Sequence, residues 1–413
     1  MVCPRTAATS IGYDCANTTK PLGPSLCRNF PFCQAPAYSQ APADIYASIP
    51  PPADAAVNQA LVSLQTGQIA PPGNVFATWR TSLDTCLWDG VYCGNNGSRV
   101  DGLSLPRRGF TWSSPGPYLT AIAGLKFLNL AHNKIAGTLP DWDPASPTAA
   151  GLADIDLTDN LMTGTVPSNW TALISLTSLR LASNALGGGG TPLPAALGSR
   201  LRALKVLDLS DNGWNTTLPD AWCYTGGAGG SMTSLESLKC NFCGLGGGGA
   251  GAPLPRLDYC TNLRQLQLIG NNIAGALTAA SFPLPQLTAL ELGMNALTAI
   301  TVNGSDLAAP AALPALQKLD LSYNNISGTL PCALGSWTNL RQLLLRSNNF
   351  SGALPAEPGG LVISNTCANC SRLTLKVVDL SYNNLEGPLP EGLGGLYFQG
   401  LLAALPQTGM MPV

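Results

Sequence analysis

Leu316-x-x-Leu319-x-Leu321-x-x-Asn324-x-Ile326-x-Gly328-x-Leu330-Pro331 is followed in the same register by Leu340, Leu343, Leu345, Asn348, Phe350, Gly352, Leu354 and Pro355. The phrase returns at Leu375, Val378, Leu380, Asn383, Leu385, Gly387, Leu389 and Pro390. Asn324 and Asn348 stand 24 residues apart. A fixed period of this length predicts a solenoid, and it points toward binding or scaffolding rather than chemistry.

Working outward, Val100, Leu103 and Leu105 open the array without an asparagine. Asn133, Asn160, Asn184, Asn212, Asn271, Asn295, Asn324, Asn348 and Asn383 mark nine later coils, and Cys243 takes the same slot in one more. That predicts about eleven repeats over residues 100–390. Each L-x-L is a short strand whose alternate side chains point inward. The asparagine turns inward to bond free backbone groups of the turn. No coil can bury its leucines alone, so the stack must do it.

Because G-x-L-P follows the core phrase in many coils, the array resembles the plant-specific class of extracellular leucine-rich-repeat proteins. The resemblance implies an α/β solenoid: a right-handed superhelix with a parallel β-sheet on its concave side. Residues 53–99 resemble the N-terminal cap of that class, with a helical stretch at Ala55 to Leu64, then Trp79, then the C-x6-C pair Cys86 and Cys93. The resemblance implies a Cys86–Cys93 disulfide that holds the cover over the first coil. Residues 1–52, with Cys3, Cys15, Cys27 and Cys33 among prolines, read as a cysteine- and proline-rich arm or linker. Residues 391–413 read as a degenerate last repeat or terminal segment, with Leu393, Leu396, Leu401 and Leu402 as its leucines.

Composition excludes several classes. Only 11% of residues are charged and the net charge is −2, so no basic stripe follows a nucleic-acid backbone. No apolar run is long enough to span a membrane. Met1-Val-Cys-Pro-Arg lacks the apolar core of a signal peptide. Thirteen cysteines and eight N-x-S/T sequons nevertheless predict the secretory route, with an extracellular or cell-wall location. The sequons are Asn17, Asn96, Asn169, Asn215, Asn303, Asn325, Asn349 and Asn369, and N-glycans are expected on them. Asn325 and Asn349 follow inward asparagines directly and should face outward.

Cys223 and Cys260 follow Leu-Pro in successive coils at similar offsets, which suggests a bridge across one coil step. Cys240 replaces a core leucine and Cys243 the inward asparagine, so both are expected as buried thiols. Cys332, Cys367 and Cys370 stay open, and an odd total leaves at least one thiol free or paired between chains.

Catalysis finds little support. His132 is the one histidine, and nothing marks a nucleophile beside it. Asp154 and Asp156 lie two apart on a strand and share a face, as a glycosidase pair would. However, the central x of successive L-x-L units reads Asp156, Arg180, Asp208, Lys239, Gln267, Glu291, Asp320, which fits a solvated salt-bridge ladder better. The two C-x2-C pairs are too far apart for one zinc site. Gly-rich stretches after Leu186 and Leu245 lack the ending of a phosphate loop. Leu405-Pro-Gln-Thr-Gly409 and Leu396-Tyr-Phe-Gln-Gly400 are chance resemblances to processing signals.

The expectation is therefore a non-enzymatic glycoprotein without cofactor or metal. It would act through protein contacts, as a scaffold in a cell-surface matrix or filament, by self-assembly or with a protein partner. The alternative is a receptor-like ectodomain or inhibitor that reads a peptide, glycan or secreted enzyme. Its concave face would use Phe127, Arg180, Lys239, Phe242, Glu291, Tyr323, Arg346 and Tyr382.

Overall fold

The computed structural model describes residues 55–66, 78–79, 84–94, 99–224, 231–247, 251–278, 284–301, 313–330, 337–353, 356–357, 360–361, 375–387 and 397–398. The arm at 1–52, most of 391–413, Cys332, Cys367 and Cys370 lie outside the described residues.

One sheet of thirteen strands runs along the described chain. Its first strand, Val91–Cys93, is antiparallel to Val100–Ser104. Setting aside that strand and the terminal Tyr397–Phe398 leaves eleven parallel strands from Val100–Ser104 to Val377–Asp379, matching the count of repeats. The central leucines are in register: Leu290 pairs with Leu319, which pairs with Leu343, which pairs with Val378. All four are buried, whereas their strand neighbours alternate to the concave side.

The inward asparagines form a ladder. The Asn160 side-chain amide donates to the carbonyls of Leu130 (3.0 Å) and Leu157 (3.1 Å), and its Oδ1 accepts from Ile135 N (3.0 Å). Asn324 does the same with Leu292, Leu321 and Leu297. Each rung ties two coils, so buried turn groups are paired without water.

Before each rung the backbone enters the left-handed region. His132, Asp159, Ser183, Asp211, Phe242, Met294, Tyr323, Ser347 and Tyr382 have φ between 51° and 58°. This kink lets the next residue turn inward. The same need explains the glycine of G-x-L-P: Gly137 (φ 91°) and Gly328 (φ 95°) begin the descent to the far side of the coil. Short lateral sheets form there, for example Ser327–Gly328, Asn349–Ala353 and Asn384–Glu386.

Cys243 breaks the ladder, and here the sequence expectation of two buried thiols is corrected: Cys240 and Cys243 are disulfide-bonded. Alternation points Cys240 inward, and the turn points Cys243 into the same space, bringing their Cα atoms to 5.5 Å, within bonding range. The Leu209 carbonyl, which an asparagine at 243 would cap, accepts instead from the Trp214 indole at 2.9 Å. A Cβ on Gly187 would lie 2.6 Å from Trp214 Cα, so the glycine is needed beneath that ring.

The first coil is covered by the helix Ala55–Thr66, which buries Val57, Leu61 and Leu64. Trp79 stacks on Trp88, and Trp112 donates to the Leu64 carbonyl (2.9 Å). Cys86 and Cys93 are disulfide-bonded beside the antiparallel strand, with Cα atoms 5.7 Å apart. Cys223 and Cys260 are bonded across one coil step, with Cα atoms 5.1 Å apart. Among the described residues no helix is long and apolar enough to cross a membrane.

Candidate binding face

The concave sheet has two edges. At the leading edge the strands begin; at the trailing edge they end, and the left-handed residue before each rung projects outward. Along this trailing column the chemistry changes midway. The first five left-handed positions from Arg107 are Arg107, His132, Asp159, Ser183 and Asp211. From the sixth coil onward four of its six positions carry large side chains: Phe242 and Met294 are each 49% exposed, Tyr323 51% and Tyr382 58%, with Gly270 and Ser347 at the other two. Phe242 covers Gly270 of the next coil, where any Cβ would collide with its ring. Four exposed large side chains in one column are more than the singly scattered apolar residues of an ordinary protein surface.

Tyr323, Arg346 and Tyr382 meet on three consecutive coils. Arg346 Nε donates to the Tyr323 hydroxyl (3.0 Å), and its Nη1 donates to Ser381 Oγ (3.2 Å). The guanidinium lies 4.4 Å from the Tyr382 ring centroid and 3.9 Å from the Asp379 carboxylate. The Tyr323 hydrogen bond raises the already high Arg346 pKa, with smaller help from the Asp379 charge, so this group is always cationic.

The other expected face residues are dispersed. Phe127 packs over Gly102 and edge-on to Tyr92 (5.3 Å), closing the cap. Arg180 lies 3.7 Å from Asp154. Glu291 is nearly buried, held by Lys318 (2.6 Å) and Gln267 (2.8 Å). Lys239 makes no ion pair among the described residues. The expected salt-bridge ladder down the central column is thus corrected. Its pairs run diagonally between columns, because Asp156, Asp208 and Asp320 instead accept from the backbone N–H two residues on, at 3.0–3.1 Å. Met294 was missed by sequence reading, yet its place directly before a ladder asparagine was a usable signal.

His132 Nδ1 lies 2.9 Å from Asp159, both at the surface, and among the described residues no hydroxyl or thiol hydrogen-bonds to that imidazole as a triad nucleophile would. Burial raises the Asp154 pKa and Asp156 adds to it, against the pull of Arg180. Among the described residues no group of three His, Cys, Asp or Glu side chains could hold a metal. Of the sequons, Asn215, Asn325 and Asn349 are exposed, and Asn169 is half-buried beside Asp141. Asn17, Asn96, Asn303 and Asn369 lie outside the described residues.

A family model described as Leucine Rich Repeat matches residues 124–143, 315–337, 339–361 and 374–396. The chain is 28% identical over 224 residues to receptor-like protein kinase BRI1-like 3 of Arabidopsis thaliana, covering 53% of this chain and 16% of that protein. It is 29% identical over 288 residues to the brassinosteroid LRR receptor kinase BRL3 of Oryza sativa subsp. japonica, covering 67% of this chain and 22% of that one. The chain thus spans under a quarter of either kinase. In three dimensions it is similar to a plant ice-binding protein, with a TM-score of 0.60 at 24% identity over 82% of this chain and 97% of the other. The plant peptide hormone receptor RGFR1, solved with RGF2, gives 0.54 at 20% identity over 70% and 49%. Repeats, stacked strands and these matches agree that the chain is a leucine-rich-repeat protein with repeats of the plant-specific class.

Proposed function

We propose that this chain is the recognition module of an extracellular glycoprotein, and that it holds an extended segment of a protein partner along the trailing edge of its C-terminal coils. The observation that carries this reading is the Tyr323–Arg346–Tyr382 cluster, continued by Met294 and Phe242 in the same column. Aromatic side chains and arginine dominate the energetics of protein interfaces, because they bury much area at little entropic cost. Arg346 is braced by three side chains and loses little freedom on binding. Disulfides in three places and exposed sequons at Asn215, Asn325 and Asn349 support an extracellular setting with N-glycans. The receptor kinases among the relatives favour recognition over a structural scaffold.

Selection of a random displayed-peptide library on the full chain tests this. Enriched peptides should lose about tenfold or more in affinity for Tyr323→Ala and Tyr382→Ala, as truncated interface anchors do. Unchanged affinity for both variants would refute the trailing edge as the binding site.

A further inference from the structure

The leading edge has its own character. In a chain with few charges, Lys126, Lys205, Arg264, Arg341 and Lys376 occupy five of the eleven positions just before the strands, against only Asp101 and Glu236. Five cations less two carboxylates leave this edge at +3. In the middle of that edge lies an open cleft of about 230 Å³, lined by Lys205, Ser234, Glu236, Asn262 and Arg264. Every lining side chain ends in a hydrogen-bonding group, so the cleft is predominantly polar. Three consecutive coils supply it. The Glu236 amide donates to the Lys205 carbonyl and the Arg264 amide to the Glu236 carbonyl, each at 2.8 Å. Cys223–Cys260 cross-links the first two of these coils, and Cys240–Cys243 staples the strand end of the middle one, which stiffens the mounting of the cleft.

Its polar groups are only partly engaged. Lys205 and Glu236 lie 3.3 Å apart, and the Asn262 amide donates to the Thr233 carbonyl (2.8 Å), leaving its oxygen open. Arg264 makes no ion pair among the described residues. One uncommitted guanidinium, a carboxylate acceptor, an amide and a hydroxyl suit a ring that bears one carboxylate and several hydroxyls. We propose that this cleft is a subsite for one uronate unit of an acidic polysaccharide whose chain follows the basic leading edge. Arg264 takes the carboxylate, and Glu236, Ser234 and Asn262 take ring hydroxyls. The site lies across the sheet from the trailing edge, so it stands or falls independently of the peptide site.

Calorimetric titration of the full chain with an oligogalacturonate tests it, with a neutral malto-oligosaccharide and a poly-glutamate peptide as comparisons. Binding should weaken with salt, and Arg264→Glu should weaken it by about tenfold or more, as expected for losing a charge-assisted hydrogen bond. Glu236→Leu separates the chemistry from bare charge. A general polyanion surface binds tighter when that carboxylate is removed, whereas a sugar subsite loses its acceptor and binds more weakly. The expected result is weaker binding by Glu236→Leu with an unchanged circular dichroism spectrum. Tighter binding by Glu236→Leu, equal binding of poly-glutamate, or no preference over the neutral sugar would overturn the proposal.

Discussion

The Trp214 indole donates to the Leu209 carbonyl at 2.9 Å, in the coil just before the one where a cysteine, Cys243, stands in place of the ladder asparagine. A single substitution in the ladder has thus been answered by two side chains: one supplies the missing donor, and a disulfide fills the core space. Trp214→Phe keeps an aromatic ring but removes one of the two donors to that carbonyl, leaving only the Asn212 amide at 3.1 Å. It should cost about 0.5–1.5 kcal/mol, the net worth of one hydrogen bond. Calorimetry should show a lowered Tm, and an unchanged Tm would mean that the indole bond is not needed.

Asn324 and Asn325 are neighbours with opposite fates. Asn324 pairs backbone groups of two coils, whereas Asn325 faces solvent. Asn324→Ala should destabilise by about 1–3 kcal/mol, because the Leu297 N–H loses its acceptor while the Leu292 and Leu321 carbonyls each keep one other asparagine donor. Asn325→Gln should stay within about 0.5 kcal/mol. In chain secreted from a eukaryotic host, it should also remove the mass of one N-glycan. Equal melting of the two variants would contradict the ladder register.

The two edge aspartates should respond to pH in opposite senses. At Asp101, burial acts to raise the pKa, but hydrogen bonds from Lys126 and Arg99 outweigh it and hold the carboxyl below its ordinary value. Its folded pKa is depressed, so its contribution is present above the ordinary aspartate range near ~3.9 and fades as pH falls through the folded pKa. At Asp154 burial raises the pKa, so its ionised form works against folding above that range and protonation relieves this as pH falls. Near neutral pH, Asp101→Asn should lower Tm and Asp154→Asn should not. Each effect is of order 1 kcal/mol or less, given how exposed the ion-pair partners are. A Tm drop in both variants alike would show that the opposite shifts are wrong.

Phe242 and Gly270 act as a pair across two coils. Gly270 has φ 68°, and a side chain there would displace the Phe242 ring. Gly270→Ala should therefore weaken any peptide that depends on Phe242, by about tenfold or less, and also lower Tm slightly through backbone strain. Binding that survives Gly270→Ala but fails in Tyr323→Ala would shift the site toward the last coils.

The sequence disclosed what depends on period. Leu319, Leu343 and the asparagines were legible because every coil repeats the same burial, and a repeat is read by counting. What depends on backbone angle was hidden. Phe242, Tyr323 and Tyr382 were picked out as face residues, but no spacing rule gives the φ of 51–57° that sets them and Met294 in one outward column. The Arg346–Tyr382 contact was obscured by the long interval from Asn348 to Asn383, which spreads neighbours in space over 36 positions of sequence. The Cys240–Cys243 bond was missed because two structural slots, each fully explained alone, turned out to face one another. The cleft at Glu236 and Arg264 escaped notice because it is assembled from variable x positions of three coils, which the period leaves free.

The most direct test of the recognition reading is hydrogen exchange on the full chain, with and without a library-selected peptide, resolved to short segments. Protection is predicted at the strand ends of the C-terminal coils, at residues 241–243, 293–294, 322–324, 346–347 and 381–383. The N-terminal coils and the lateral sheets should be unchanged. Protection centred on the lateral sheets, or on the coils before residue 212, would contradict the account.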